Sequence, residues 1–585
     1  VRAALIAISG LAFFVGLVPS SEALTPEERA LAVRSVRPNQ LELLEASVGR
    51  LESLPFLAMD LSLDVDKRRI EGKARLDWLN TTGLPQSNIP IRFSANGGGK
   101  KAPKAGWKNV KVTLPGGIAL SAATKRLSKT VSLIVLPEAL PPGARVIIEG
   151  DLEGQMAKLA EGATDPLAGG LAALSGKTST QASGAQYGTF ACGDGICTLE
   201  GFAPEVPAFI DGAFDTSEGT GIGDPTYSEV SNLLLSVKAP KDVVIAATGL
   251  PVGQVIEGPA FRTTFAMAAT REVGLVASKG FAFEERVVSG ITVRSFALES
   301  DAAARATALD SAASALQILN DDLGPYPWSF LNIAESALTG GAGGVEMPGL
   351  ALGASGFYRP GQGMMAMLGG ADGGMMGDML DFITRHEVAH QWWHAQVGSH
   401  AQLHPYVDEP LAQWSALHTV RKAMGDDAAE KIRAMQIALN FQGLEMMGIP
   451  DGLVARPANR FRNPTEYAGL VYGKAPLFYE AVRKEIGEDK LLAALRSMVA
   501  KRRFRRATPD ELRDALCDVA GERAPAVRAL WKRWFLEKHG KEDVGSFDLG
   551  SIMKSMGLDL PIDPSGVGAN PMDLLQQLLN GGLDE

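Results

Sequence analysis

A chain of 585 residues, 46% hydrophobic and 21% charged, is globular and long enough for several domains. Its net charge of −10 is spread along the sequence rather than gathered in blocks, which argues against nucleic acid as a partner.

In chain order, Arg2 precedes an apolar run over residues 3–18, and Ser21 and Ala23 stand at the small-residue spacing of a secretory cleavage site. A signal peptide over 1–23 is expected. The alternative is an uncleaved anchor, but a span takes about 20 apolar residues, and this run is shorter and contains Gly10 and Gly16. The protein is therefore expected to be exported, periplasmic or extracellular, with no stable membrane span after cleavage. Thr25-Pro26-Glu27-Glu28 reads as a capping box that opens a helical extension over 24–58, interrupted at Pro38.

From Met59 the hydrophobic period changes to two. Leu61, Leu63 and Val65 alternate with polar residues, and Ile70, Ala74, Leu76 and Trp78 follow a Lys67-Arg68-Arg69 turn. Further strands are expected at 110–114, 131–135, 146–149, 230–237, 243–248 and 261–268, giving a mostly-β domain over 59–287. Residues 162–186 are rich in Gly, Ala, Ser and Thr and read as a flexible insertion. Cys192 and Cys197 flank a Gly-Asp-Gly-Ile turn; in an oxidising compartment they form a disulfide, and otherwise they are two small core residues. Beyond a boundary near 288, the pattern predicts a helix over 301–322, a strand over 330–335, and a Gly/Met-rich loop over 353–379. From Thr384 the chain is mostly helical, with segments at 426–442, 475–486, 491–501, 509–520 and 524–538. A Gly/Pro-punctuated tail follows over 541–585, with one amphipathic piece at 571–579.

The chemistry lies between residues 381 and 411. His386-Glu387-Val388-Ala389-His390 is an H-E-x-x-H pattern. On a helix, residues four apart share a face, so both imidazoles can bind one metal, with Glu387 placed to take a proton from its water. Six of the seven histidines (His386, His390, His394, His400, His404 and His418) fall in this neighbourhood. A catalytic zinc takes three protein ligands and keeps one open position. The H-E-x-x-H-x-x-G-x-x-H option fails, because Trp393 and Gln396 occupy its last Gly and His positions. The other option is a Glu on the next helix, and Glu409 supplies it, with eighteen residues between it and His390. Pro410 suits a first helical turn, where no N–H bond is lost.

These residues resemble the zinc aminopeptidases related to alanyl aminopeptidase and leukotriene A4 hydrolase. His390-Gln391-Trp392-Trp393 and Asp408-Glu409 match the wording of that family around its ligands. Gly343-Gly344-Val345-Glu346-Met347-Pro348-Gly349 resembles its Gly-x-Met-Glu-Asn exopeptidase motif, and residues 467–474, Tyr467 to Lys474, are similar to the segment that carries its catalytic tyrosine. Gly324-Pro325-Tyr326-Pro327-Trp328 is also similar.

The resemblance implies an α+β architecture: the N-terminal mostly-β domain, then a thermolysin-like, mainly helical catalytic domain over 288–540. It implies one zinc ion on His386, His390 and Glu409, with Glu387 as general base and Tyr472 as oxyanion donor. Glu346 would take the α-ammonium of a peptide substrate, and Gly343 and Gly344 would lie on an edge strand that pairs with extended substrate. The implied activity is exported, zinc-dependent hydrolysis of N-terminal peptide bonds. The alternatives are a zinc endopeptidase, a hydrolase of another small amide or epoxide, or an inactive peptidase fold that binds. The sequence departs from the family at two points. No Asn follows Glu346-Met347, and the motif beside which the family's N-terminal domain places an amine-binding residue has only a weak echo in residues 202–207, so Asp194 or Glu200 is the candidate for that role. The family's long helical C-terminal domain is not expected after residue 540.

Overall fold

In a computed structural model, the described residues are 25–97, 104–160, 162–164, 187–225, 227–359 and 374–546. The expected signal peptide, most of the 162–186 insertion, residues 360–373 of the Gly/Met-rich loop and the tail beyond 546 lie outside them. The fold is α+β, a mostly-β N-terminal part followed by a helical part.

The Thr25 capping box forms as its residues dictate: the Thr25 hydroxyl accepts from Glu28 N, and Glu28 accepts from Thr25 N at 2.8 Å. The helix it opens, Pro26–Val33, lies against the main sheet, where Glu28 meets Arg75 at 3.1 Å and Arg29 pairs with Asp77. That sheet has eight strands, in the order Leu250–Glu257, Ala260–Thr270, Ser231–Pro240, Phe56–Asp64, Arg69–Leu79, Arg145–Gln155, Lys104–Thr113 and Ala119–Leu120. Phe56–Asp64 pairs in parallel with Ser231–Pro240 and antiparallel with Arg69–Leu79, so the two expected stretches of alternating sequence meet at its centre.

The hairpin Phe190–Gly193/Ile196–Leu199 has no alternating pattern and was not expected from the sequence. A disulfide between Cys192 and Cys197 closes it, which settles the open alternative for these residues in favour of pairing.

A second five-stranded sheet leads to the site. Its order is Phe281–Val288, Ile291–Leu298, Phe330–Ser336, Leu350–Ala354 and Gly344–Met347, which leaves the glycine-rich motif on an edge. The first hairpin of this sheet turns at 289–290, beside the boundary read near 288, and both its strands belong to the sheet. Helices Ala302–Asp322, Gly374–Ala389 and Asp408–Met424 pack on one another beyond it. The Gly324–Trp328 segment backs the second of these helices: Trp392 Nε1 donates to Gly324 O at 3.0 Å, and Tyr326 packs on the Trp392 ring. Trp328 Nε1 donates to Ala268 O at 2.8 Å and so ties this layer to the β part.

Candidate metal centre and substrate cleft

The H-E-x-x-H segment ends the helix Gly374–Ala389, and His390 N continues it by donating to His386 O at 3.2 Å. His386 Nε2 and His390 Nε2 face each other at 3.0 Å, and Glu409 Oε2 lies 3.4 Å from each. Four-coordinate zinc with bonds of about 2.0–2.2 Å sets its ligands roughly 3.3 Å apart, so this donor set fits such an ion. Glu409 Oε2 has no hydrogen-bond partner of its own, as a carboxylate shaped for a cation would not. Burial alone would raise Glu409, but the facing imidazoles outweigh it and hold the carboxyl well below the usual range. His390 Nδ1 meets Trp393 O at 2.9 Å; as the donor there, it leaves Nε2 free as a ligand.

Neighbouring residues hold this arrangement from behind. Gln391 donates to Met347 O at 3.1 Å and accepts from Gly349 N at 2.9 Å, which locks the metal helix to the edge-strand motif. Trp393 Nε1 donates to Ser415 Oγ at 2.8 Å and joins it to the Glu409 helix. Arg385 grips Asp381 on its own helix at 2.9 Å, and Asp381 in turn accepts from Ser311 on the helix Ala302–Asp322.

Glu387 lies against the edge strand. A Cβ on Gly344 would collide with Glu387 Oε1 and lie 2.5 Å from its Cδ, so the glycine is required for the carboxylate to sit there. Burial pushes the Glu387 carboxyl up to about 8. Tyr472 lies in a π-helical segment, Ala468–Lys474, and its hydroxyl donates to Glu409 Oε1 at 2.6 Å. Burial and the Glu409 charge raise its pKa well above the usual tyrosine value, so it remains a donor. Glu346 Oε1 is 3.7 Å from His390 Nδ1, on the far side of the ring from the metal-facing nitrogen.

These groups line one cleft of about 590 Å³, within the range of small-molecule sites. Gly343, Gly344, Glu346, Glu387, Glu409 and Tyr472 all face it. Of the two acids considered for the amine-binding role, Glu200 is part of the lining. Asp194 is not among the lining residues; it accepts from Thr164 Oγ1 at 2.6 Å and lies 3.6 Å from Arg359. Sequence reasoning missed Asp224, also in the lining, whose only signal was a Gly/Pro-rich turn around one acid. It also missed Glu272, which meets His394 Nε2 at 2.6 Å. His418 is engaged by Asp322 at 2.8 Å, and His400 lies 3.4 Å from Asp215; both are held away from the metal donors.

Residues 376–534 match the model of the peptidase family M1 domain, and the match spans both histidines, Glu409 and Tyr472. The chain carries a peptidase family M1 domain. With this donor set in it, the protein is a zinc metallopeptidase, and the resemblance read from the motifs holds. A search of curated proteins finds no match. Among solved structures, the chain is similar to the M1 zinc metallopeptidase from Deinococcus radiodurans, at 16% identity over 82% of this chain and 93% of that one, with a TM-score of 0.54. A mutant of that enzyme bound to a Tyr-Ser-Ala substrate is similar at 16% identity, covering 82% and 94%, with a TM-score of 0.53. At these identities the likeness establishes the shared fold, including the β part that lies outside the M1 domain match.

Proposed function

We propose that the protein is an exported zinc aminopeptidase that removes N-terminal residues from peptides. The observation that carries this reading is the position of Glu346, one imidazole width from the metal donors. A peptide whose ammonium rests on Glu346 has room for a single residue before its carbonyl reaches the metal centre. The acid therefore acts as a ruler for the first peptide bond.

His386, His390 and Glu409 would hold the zinc. When bound, zinc supplies a Lewis acid for the scissile carbonyl and lowers the pKa of water toward roughly 7. Glu387 takes the proton of the attacking water and hands it to the leaving amine, a role worth about 10² to 10⁴ in rate. Tyr472 turns its hydroxyl from Glu409 to the developing oxyanion. The edge strand Gly344–Met347 pairs with the substrate backbone, and Gly344 leaves room beside it for Glu387. Export is supported by the N-terminal apolar run and by the Cys192–Cys197 disulfide, which persists in an oxidising compartment. Among the described residues, no helix is long and apolar enough to cross a membrane.

The test is hydrolysis of amino-acid anilides beside their N-acetylated forms, with zinc content measured throughout. Turnover of free-amine substrates alone, reduced at least about 10²-fold in Glu387→Gln with zinc retained, is the expected result. Equal cleavage of acetylated substrates would replace the aminopeptidase by an endopeptidase.

A further inference from the structure

His394, one helical turn beyond His390, has the surroundings of a metal-binding imidazole. It is 6% exposed, and its Nε2 meets Glu272 at 2.6 Å. As the donor there, Nε2 leaves Nδ1 with its lone pair, and a carboxylate behind the ring fixes both tautomer and orientation. Nδ1 faces Glu346 Oε1 at 3.5 Å, and the two do not hydrogen-bond. Glu346 is 8% exposed, and its Oε1 has no hydrogen-bond partner at all. A buried carboxylate oxygen without a donor, opposite a nitrogen lone pair, is stabilised by a cation between them. Neighbouring ligands of four-coordinate zinc stand roughly 3.3 Å apart, and this pair has that spacing.

Asp224 brings a third donor, with one atom of each residue within 4.8 Å of the others. It arrives on the loop over 219–225, which comes from the β part but is held by the catalytic part. Gln402 Oε1 accepts from Thr220 N at 3.1 Å, and its Nε2 donates to Ile222 O at 3.0 Å and to Asp224 O at 2.5 Å. Gly223, at φ +66°, sits so close that a Cβ there would lie 2.6 Å from the Tyr467 hydroxyl. This anchoring sets Asp224 on the cleft wall with Glu346.

One imidazole and two carboxylates are a zinc-type donor set. Calcium and magnesium take oxygen ligands and gain nothing from the imidazole. His390 stands between this group and the catalytic donors, with Nε2 turned to Glu409 and Nδ1 3.7 Å from Glu346 Oε1. A dication on the catalytic donors repels a second one so near, so the second binds more weakly.

We propose that Glu346, His394 and Asp224 form a second, weaker zinc site, and that zinc held there competes with substrate. A cation in this group takes the Glu346 carboxylate away from the ammonium that the aminopeptidase reading gives it, so excess zinc closes the end of the cleft where the first residue rests. The site itself stands on the donors; the competition rests on that reading.

In the test, zinc-loaded protein is dialysed against buffered free zinc or calcium, bound metal is counted, and turnover of leucine anilide is followed over a range of substrate concentrations. Wild type should take up a second equivalent of zinc and none of calcium. KM should rise about tenfold once free zinc reaches ten times the Kd of the second site, with kcat unchanged. His394→Gln and Asp224→Asn should keep the first equivalent and lose the second. Glu272→Gln, outside the cleft lining, should weaken the second site by about 10–100-fold and leave the first intact. Saturation at one equivalent, equal uptake of calcium, or a second equivalent that survives both His394→Gln and Asp224→Asn would each overturn the site. A variant that misfolds loses the first equivalent too, and Glu272→Gln then decides. Wild type that cleaves acetylated anilide equally well would overturn the competition together with the aminopeptidase reading. The second equivalent is counted without turnover, so failure of the site and failure of that reading are told apart.

Discussion

Gly344→Ala is a methyl-sized test of how the general base is placed. The added Cβ would collide with Glu387 Oε1, lie 2.5 Å from Glu387 Cδ and 2.6 Å from Leu352 O, where ordinary contact begins at 3.4 Å. Leu352 O belongs to the neighbouring strand Leu350–Ala354 and is not free to move, so the Glu387 carboxylate must retreat by at least about 1 Å. A displacement near 1 Å of a catalytic group costs on the order of 10²-fold in rate. The overpacking itself costs about 1–3 kcal/mol of stability. The metal donors are not among the atoms nearest the added methyl and are not pushed directly. The expected outcome is therefore kcat lower by roughly 10²-fold on a free-amine anilide, with full zinc content and a modest fall in Tm. Full activity in a folded, zinc-loaded Gly344→Ala protein would refute the account of Glu387. So would a loss of activity that tracks a loss of zinc.

Two other outcomes follow from features away from the cleft. The Cys192–Cys197 bridge closes a loop with a sequence separation of only 5, so the chain-entropy account gives about 2 kcal/mol for it; Cys192→Ser/Cys197→Ser should lower Tm accordingly while leaving kcat unchanged. The hydrogen bond from His418 holds the Asp322 carboxyl below its ordinary 3.8, against the opposing effect of burial. A carboxyl depressed in the folded state stabilises fully above the unfolded value and loses that contribution as pH falls through the folded one. The Tm gap between wild type and Asp322→Asn should therefore be widest at neutral pH and should narrow as pH falls below about 4; a gap that widens on acidification would contradict this.

The legible parts of the molecule were those written in local spacing. The metal donors could be read because two histidines four apart on a helix and one Glu on the next are short-range facts, and the central strands because alternation reports a buried face. The edge position of Gly344–Met347 agreed with the family resemblance. What could not be read was set by contacts between distant segments. The 190–199 hairpin is stabilised by its disulfide and its neighbours rather than by any alternation of its own. Asp224 reaches the cleft only because Gln402, 178 residues later, pins its loop. Asp194 looked equally suitable as an acid in a Gly-rich turn, yet its turn faces Thr164 and Arg359 instead.

The π-helical segment over Ala468–Lys474 explains how two tyrosines come to share one wall. Tyr467 and Tyr472 are five residues apart, which on an α-helix at 100° per residue would point them about 140° away from each other. A turn closed by i→i+5 bonds brings such residues nearly into line, and their rings lie 5.8 Å apart. Tyr472, the proposed oxyanion donor, is therefore in phase with Tyr467, which seats the Asp224 loop, because this stretch carries one residue more than an α-turn would hold. Gly469 and Gly473 let that wider turn press against Leu444 and Phe441. Among the changes open to this segment, side-chain substitution is the milder class. A single-codon deletion would restore α periodicity and rotate everything on one side of it out of register, so this part of the gene should accept point changes far more readily than changes in length.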